Sequence, residues 1–226
     1  MPDNTSAIAF ADFAQRLGGL TSTAKVIEAL QTAGPAVLGF GDVSLLLRRD
    51  RQLHFAGATD ESLATATIGQ LEFGEGPAVD AVRASTEVAC ADLSTAERWP
   101  RWSPYAIGLG WRSWLSLRLT SRGHRCLGVL NVGSRRTEAI ELPRALILAA
   151  HLAVALDTVQ MQENLLLAQD AQMHVGQAVG LLMERYQLTA DQAFSVLRRY
   201  SQDRQVKLRD VAADLLATRR LPEVDR

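Results

Sequence analysis

Residues 111–133 read WRSWLSLRLTSRGHRCLGVLNVG. Leu115, Leu117 and Leu119 alternate with Trp114, Ser116, Arg118 and Thr120, the period of two that gives a strand one apolar face. Ser121-Arg122-Gly123-His124 joins this run to Arg125–Gly133, which is apolar nearly throughout and suits a central strand. Trp111–Thr120 and Arg125–Gly133 are the clearest strands of the chain.

Toward the N-terminus, Val43–Arg49 and Gln52–Ala58 are two strand-like runs around Asp50-Arg51, and Glu87–Leu93 is a shorter one. Ile8, Phe10, Phe13, Ala14 and Leu17 share a helical face that ends at Gly18-Gly19. A second helix is expected from Ser22 or Thr23 to Ala33, with Val26, Ile27 and Leu30 as its stripe and Gly34-Pro35 as its stop. Gly74-Glu75-Gly76-Pro77 before AVDAVRAS reads as a loop launching a short helix with Pro in its first turn. It lacks the Lys and the spacing of a phosphate loop, and its glutamate would repel phosphate. Helices mixed with antiparallel hairpins predict an α+β domain of sensor size, ending near Leu156.

Beyond the sheet, a helical pattern starts after Leu142-Pro143 and meets no breaker until Gly176 or Gly180. Spacings of four and three link Ala145, Ala149, Leu152, Leu156, Val159, Glu163, Leu166, Asp170 and Met173. This heptad-like stripe turns polar at Glu163 and Asp170 but outruns the sheet it would cover, which favours a homodimer through the long helix over packing on its own domain alone. From Ala171 three short amphipathic helical patterns follow in succession, a module too small to hold a catalytic cleft as well as a core. Phe194, Leu197, Leu208, Val211 and Leu215 are its expected core. Ala178 and Gly180 are small enough to admit another backbone, whether RNA or, more commonly, a neighbouring helix.

Charge locates the basic surface. The 226-residue chain carries a net charge of −1, so no whole-molecule field draws a polyanion. Between Leu165 and Arg226 nine Lys and Arg face eight Asp and Glu, well short of a strongly basic footprint. Arg198, Arg199, Arg204, Lys207 and Arg209 nevertheless gather within twelve residues, with only Asp203 among them. A solvated helix end is the plainer reading of such a cluster. His54, His124, His151 and His174 are scattered away from any nucleophile pattern, and His151 reads as a packing residue, so no catalytic residue is expected. Cys90 and Cys126 stand in no metal-ligand spacing and lie in predicted strands, so no metal is expected and both look structural. The N-terminal MPDNTSAIAF has no positive charge of the signal-peptide kind, and Ala145–Leu156 is too short to span a bilayer, so a cytoplasmic protein without a membrane partner is expected.

Two families are similar. EFGEGPAVDAVRAS, VACADLSTAERWPRW and GLGWRSWLSLRLTSRGHRCLGVLNVGS closely resemble a GAF domain of the actinobacterial type, covering about residues 20–160. The similar elements are the GEGP loop, a D-L…R-W-P segment, an R-S-x-L-S strand and a G-x-L-N-x-x-S strand. Over about residues 165–217 the chain resembles an ANTAR domain, an RNA-binding antiterminator module. That likeness rests on Val175, Gly176, Gln177, Ala178, Gly180, Leu182 and Met183, and continues through Thr189, Ala193, Phe194, Leu197, Arg198 and Ser201 to the run Lys207–Ala212.

The resemblance implies a GAF-like sensor with N-terminal helices over 1–160 and an ANTAR-like three-helix module over 161–226. Such a protein is a transcription antiterminator and not an enzyme. Its RNA partner, a hairpin pair in a nascent transcript, would be met by Ala178, Gly180, Arg185, Arg198, Arg199, Arg204, Lys207 and Arg209. Tyr186 and Tyr200 are placed to stack on unpaired bases or to cap the small core. The sensor ligand is unknown, and no cofactor is implied. Trp114, Ser116 and Arg118 share a sheet face that either lines a pocket or packs on helices. Gln172 and Val179 stand where the family usually has Arg and Lys, and Gln205 where it has Asn, with a basic residue often at the place of Val206. Each lost cation removes a share of salt-dependent affinity. Two alternatives therefore stay open, a DNA-binding regulator using a helix-turn-helix and an interaction module without nucleic-acid binding.

Overall fold

A computed structural model describes residues 4–137 and 140–220. The chain divides into two compact units, with the boundary between Met161 and Gln162.

The first unit is built on five antiparallel strands, β1 (Asp42–Arg49), β2 (Gln52–Ala58), β3 (Val88–Cys90), β4 (Ser113–Thr120) and β5 (Cys126–Ser134), in the order β2-β1-β5-β4-β3. β5 is central, as its composition predicts, and every one of its residues is buried. Asp50 and Arg51 both take positive φ, 47° and 68°, which closes the β1–β2 hairpin as a two-residue turn matched to strand twist.

One face of the sheet presents Leu45, Leu47, Leu115, Leu117, Leu130 and Val132 to α1 (Asn4–Gly18), α2 (Thr23–Leu38) and the start of α6 (Leu142–Tyr186). α2 does not stop at Gly34-Pro35, as the sequence suggests, but runs four residues further to a left-handed cap at Gly39. Burial of Val37 and Leu38 holds this last turn in place past the proline. Gly34 is needed there, because a Cβ would lie 2.8 Å from Val43 Cγ2, so only glycine lets α2 settle on β1. The opposite face is covered by α3 (Glu61–Phe73), α4 (Pro77–Ala84) and α5 (Trp102–Gly108). α4 begins with Pro77 at its first turn, as expected.

α6 passes through Gly176 and Gly180 without a break and reaches 45 residues. By length and composition alone it is apolar enough to cross a membrane, a test that the core helix of a soluble protein also passes. The apolar run extends beyond Leu156, and 44% of the 18-residue apolar window is buried within the protein. The heptad-like stripe is also reassigned. Ala145, Ala149, Leu152, Leu156 and Val159 are buried in the unit's own core. A different line of residues seven apart, Ile147, Val154 and Met161, is 47%, 52% and 74% exposed. His151 is exposed and does not pack in the core.

Candidate nucleic-acid interface

The second unit is a bundle of the C-terminal part of α6 with α7 (Ala190–Arg204) and α8 (Leu208–Thr218). Its buried core is Ala178, Leu182, Ala193, Leu197, Val211, Ala212 and Leu215. α7 starts on a capping box: Thr189 Oγ1 accepts from the Gln192 amide at 3.3 Å, and Gln192 Oε1 accepts from the Thr189 amide at 2.9 Å. It ends at Gln205, in the left-handed region at φ 53°. Ser201 Oγ donates to the Val206 carbonyl at 2.7 Å, and the Lys207 carbonyl accepts from the Asp210 and Val211 amides to start α8. Arg204 and Lys207 are thereby fixed on either side of the two-residue turn Gln205-Val206.

The predicted interface residues separate by environment. Arg198, Arg204 and Lys207 are exposed and make no ion pair among the described residues. Arg199 is paired with Asp203 at 3.6 Å and Arg209 with Asp210 at 3.4 Å, both in open solvent where such pairs hold little energy. Arg185 donates to the Arg219 carbonyl, tying the end of α6 to the end of α8, and its guanidinium lies 5.6 Å from the Tyr186 ring centre. Gly180 is exposed, and a Cβ there would meet nothing within 4 Å.

Ala178 does not belong to the surface. It is fully buried, so its smallness serves helix packing and it offers nothing to RNA. Phe194, expected in the core, is 41% exposed, because Ala193 and Leu197 occupy the inward positions of α7 and turn it outward. Tyr186 is 49% exposed, whereas Tyr200 packs partly against the core. Phe194 is the exposed aromatic the sequence reading missed, and its apolar character hid it. Val179, standing in place of the family's usual Lys, packs partly on the same core.

The face of the first unit's sheet that meets α3, α4 and α5 is filled. Trp102, Trp111 and Trp114 are fully buried and Trp99 nearly so. Edge-to-face contacts link them, with ring centres 5.8 Å apart for Trp99–Trp102, 5.0 Å for Trp102–Trp114 and 6.2 Å for Trp111–Trp114. Beside them runs a buried polar chain: Trp114 Nε1 donates to Ser116 Oγ at 3.2 Å, Ser116 Oγ to Asn131 Oδ1 at 2.6 Å, and Asn131 Nδ2 to Ser44 Oγ at 3.2 Å. Ser44 in turn bonds Thr67 at 2.7 Å. Of the two readings of Trp114 and Ser116, packing on helices therefore holds. The GEGP turn is structural as well, since Glu75 Oε1 accepts from the Arg101 and Trp102 amides at 2.6 and 2.8 Å and caps α5.

The cysteines are far apart. Cys90 pairs across to Trp114 and Cys126 to Thr120, six residues along β4, or roughly 20 Å at strand rise. Burial pushes the Cys90 thiol above its usual range, and its Sγ donates to the Asp92 carbonyl at 3.2 Å.

A GAF domain model matches residues 23–157, and an ANTAR domain model matches residues 163–216. The chain belongs to the GAF domain family and carries an ANTAR domain after it, which gives it the make-up of a regulator. No curated protein matches the chain. Among solved structures, it is similar to the GAF domain from a phosphoenolpyruvate-protein phosphotransferase of Coxiella burnetii, at 16% identity and a TM-score of 0.57, covering 72% of this chain and 99% of that one. The GAF domain from the Acinetobacter phosphoenolpyruvate-protein phosphotransferase gives 15% identity and a TM-score of 0.55, over 72% and 99%. Free methionine-R-sulfoxide reductase from Neisseria meningitidis gives 18% identity and a TM-score of 0.51, over 73% and 95%. At these identities the likeness establishes the GAF fold alone.

Proposed function

We propose that the chain is a cytoplasmic transcription antiterminator, in which the GAF domain controls an ANTAR module that binds paired RNA hairpins. The observation that carries this reading is the set of exposed cations Arg198, Arg204 and Lys207, without an ion pair among the described residues, which share the second unit with the exposed rings of Phe194 and Tyr186. Cations anchor phosphates, and exposed rings offer stacking to the unpaired bases of a loop, which is how single-stranded RNA is read. Arg199 and Arg209 can exchange their weak surface partners for phosphate at small cost.

The protein acts as a homodimer through the line Ile147, Val154 and Met161, whose spacing of seven suits a two-helix seam. Two bundles then meet two hairpins, which raises effective concentration without new contacts. A ligand of the sensor shifts the balance only if it prefers one arrangement of the dimer. The role is not enzymatic. The thiol separation is unsuited to the attacking and resolving thiols that sulfoxide reduction by cysteine requires. Competition between a two-hairpin RNA and duplex DNA for the purified protein tests the reading. Preference for the RNA is expected, and preference for the duplex would replace it with a DNA-binding regulator.

A further inference from the structure

The strand order brings both hairpin tips of the first unit to the same end of the sheet. β1 pairs with β5 from Asp42↔Gly133 to Leu47↔Gly128, so the β1–β2 turn lies beside the β4–β5 turn. Around these two turns the sequence places Arg48, Arg49, Arg51, Arg118, Arg122 and Arg125. A cavity of about 400 Å³ opens there, lined by Arg48, Arg51, Arg118 and Arg125 together with Asp50 and His124.

Arg48 and Arg118 are held by strands, not by loops. Leu46 and Arg118 both pair with Val129, and Leu46 and Val129 pack together on the α4 side of the sheet. Arg48, two residues from Leu46, therefore emerges on the same face as Arg118, with β5 between them. Arg125 is engaged by Asp157 at 3.6 Å. Arg48, Arg51 and Arg118 make no ion pair among the described residues. The ε nitrogen of Arg118 is shut off from solvent and has no hydrogen-bond partner among the described residues. Leaving a buried donor of a charged group unmatched is costly, and Arg48 and Arg51, lining the same cavity without an ion pair among the described residues, add like charge.

We propose that this hairpin end is a binding site for a small anion bearing two or more linked phosphoryl groups. Guanidinium forks match phosphate oxygens in pairs, and Arg48, Arg51 and Arg118, facing only the Asp50 carboxylate in this lining, offer more donors than one phosphate engages. The cavity has the volume of a small-molecule site and is a single concave cluster, unlike the extended basic track that follows a nucleic-acid backbone. The site lies at the sheet's hairpin end, away from the tryptophan-filled region around Trp102 and Trp114, and it does not depend on RNA binding by the second unit.

Calorimetric titration of the full chain with sodium tripolyphosphate at physiological salt, with sodium sulfate as the single-anion probe, tests the proposal. Tripolyphosphate is expected to bind at least tenfold more tightly than sulfate. Arg48→Gln with Arg118→Gln should weaken it at least tenfold, while Arg198→Ala with Lys207→Ala leaves it unchanged. Should the Arg118 variant fail to fold, Arg48→Gln with Arg51→Gln is expected to show the same loss. No binding of tripolyphosphate, equal binding of sulfate, or affinity unchanged in the folded arginine variants would overturn the site. Loss of RNA affinity in those variants, with tripolyphosphate inert toward the wild type, would overturn it in favour of an RNA-contacting surface.

Discussion

Gly180 stands exposed within the last two turns of α6, with open space where a side chain would be. A helical glycine in such a place costs the fold about 1 kcal/mol against alanine. Gly180→Ala is therefore expected to raise unfolding stability in urea by about that amount. If RNA backbone approaches here, the same change weakens RNA binding. A stabilised variant with unaltered RNA affinity would remove Gly180 from the interface. Asp60 is the N-cap of α3 and makes stability depend on pH. Ser62 Oγ donates to its carboxylate at 2.6 Å, and the Leu63 amide and Arg135 add to the effect against some burial, holding its pKa below the usual carboxylate value. A group lowered in the folded state contributes stability above its unfolded pKa, about 4, and loses it as pH falls through the lower folded value. The stability gap between wild type and Asp60→Asn should be full at pH 6 and shrink toward pH 2. A gap independent of pH would contradict this.

At the scale of elements, legibility followed surface pattern. The β4–β5 hairpin was readable because the alternation of β4 and the turn residues agreed, the β1–β2 hairpin as two strand-like runs around Asp50-Arg51, and the central place of β5 followed from its unbroken apolar run. α3 was not readable. Its buried side includes Thr67 and Gln70, whose hydroxyl and amide oxygen bond Ser44 and the Ala78 amide, and these polar residues blur the apolar stripe that marks a helix. α6 was readable as a helix, but which face met the sheet was not, since apolar residues lie nearly all round its first turns. The exposed line at Ile147, Val154 and Met161 predicts the oligomer. Val154→Glu with Met161→Glu should convert a dimer to a folded monomer in sedimentation equilibrium. A wild-type monomer, or a dimer that survives both charges, would contradict it.

For the whole molecule, the two-module organisation was legible in residues 111–133 and 171–216, whereas the interface could be drawn only coarsely. Charge counting brought Arg185, Arg199 and Arg209 together with Arg198, Arg204 and Lys207, because sequence does not show which cations already have partners. Nor does it show that Ala178 is inside and Phe194 outside, a distinction set by one residue's rotation on a helix. Phe194→Ala is accordingly expected to leave stability nearly unchanged while weakening binding to hairpin loops by roughly 1–3 kcal/mol, the usual worth of a stacked base. Unfolding curves and fluorescence anisotropy read the two effects separately.

The most direct test is the salt dependence of hairpin-pair RNA affinity, measured by anisotropy for the wild type and for Arg198→Ala with Lys207→Ala. Each lost phosphate contact reduces the slope of log affinity against log salt by about 0.7 to 0.9. The double variant is expected to bind more weakly and to lose about 1.5 from that slope. Tight binding with an unchanged slope would contradict RNA recognition by the cations around the α7–α8 turn.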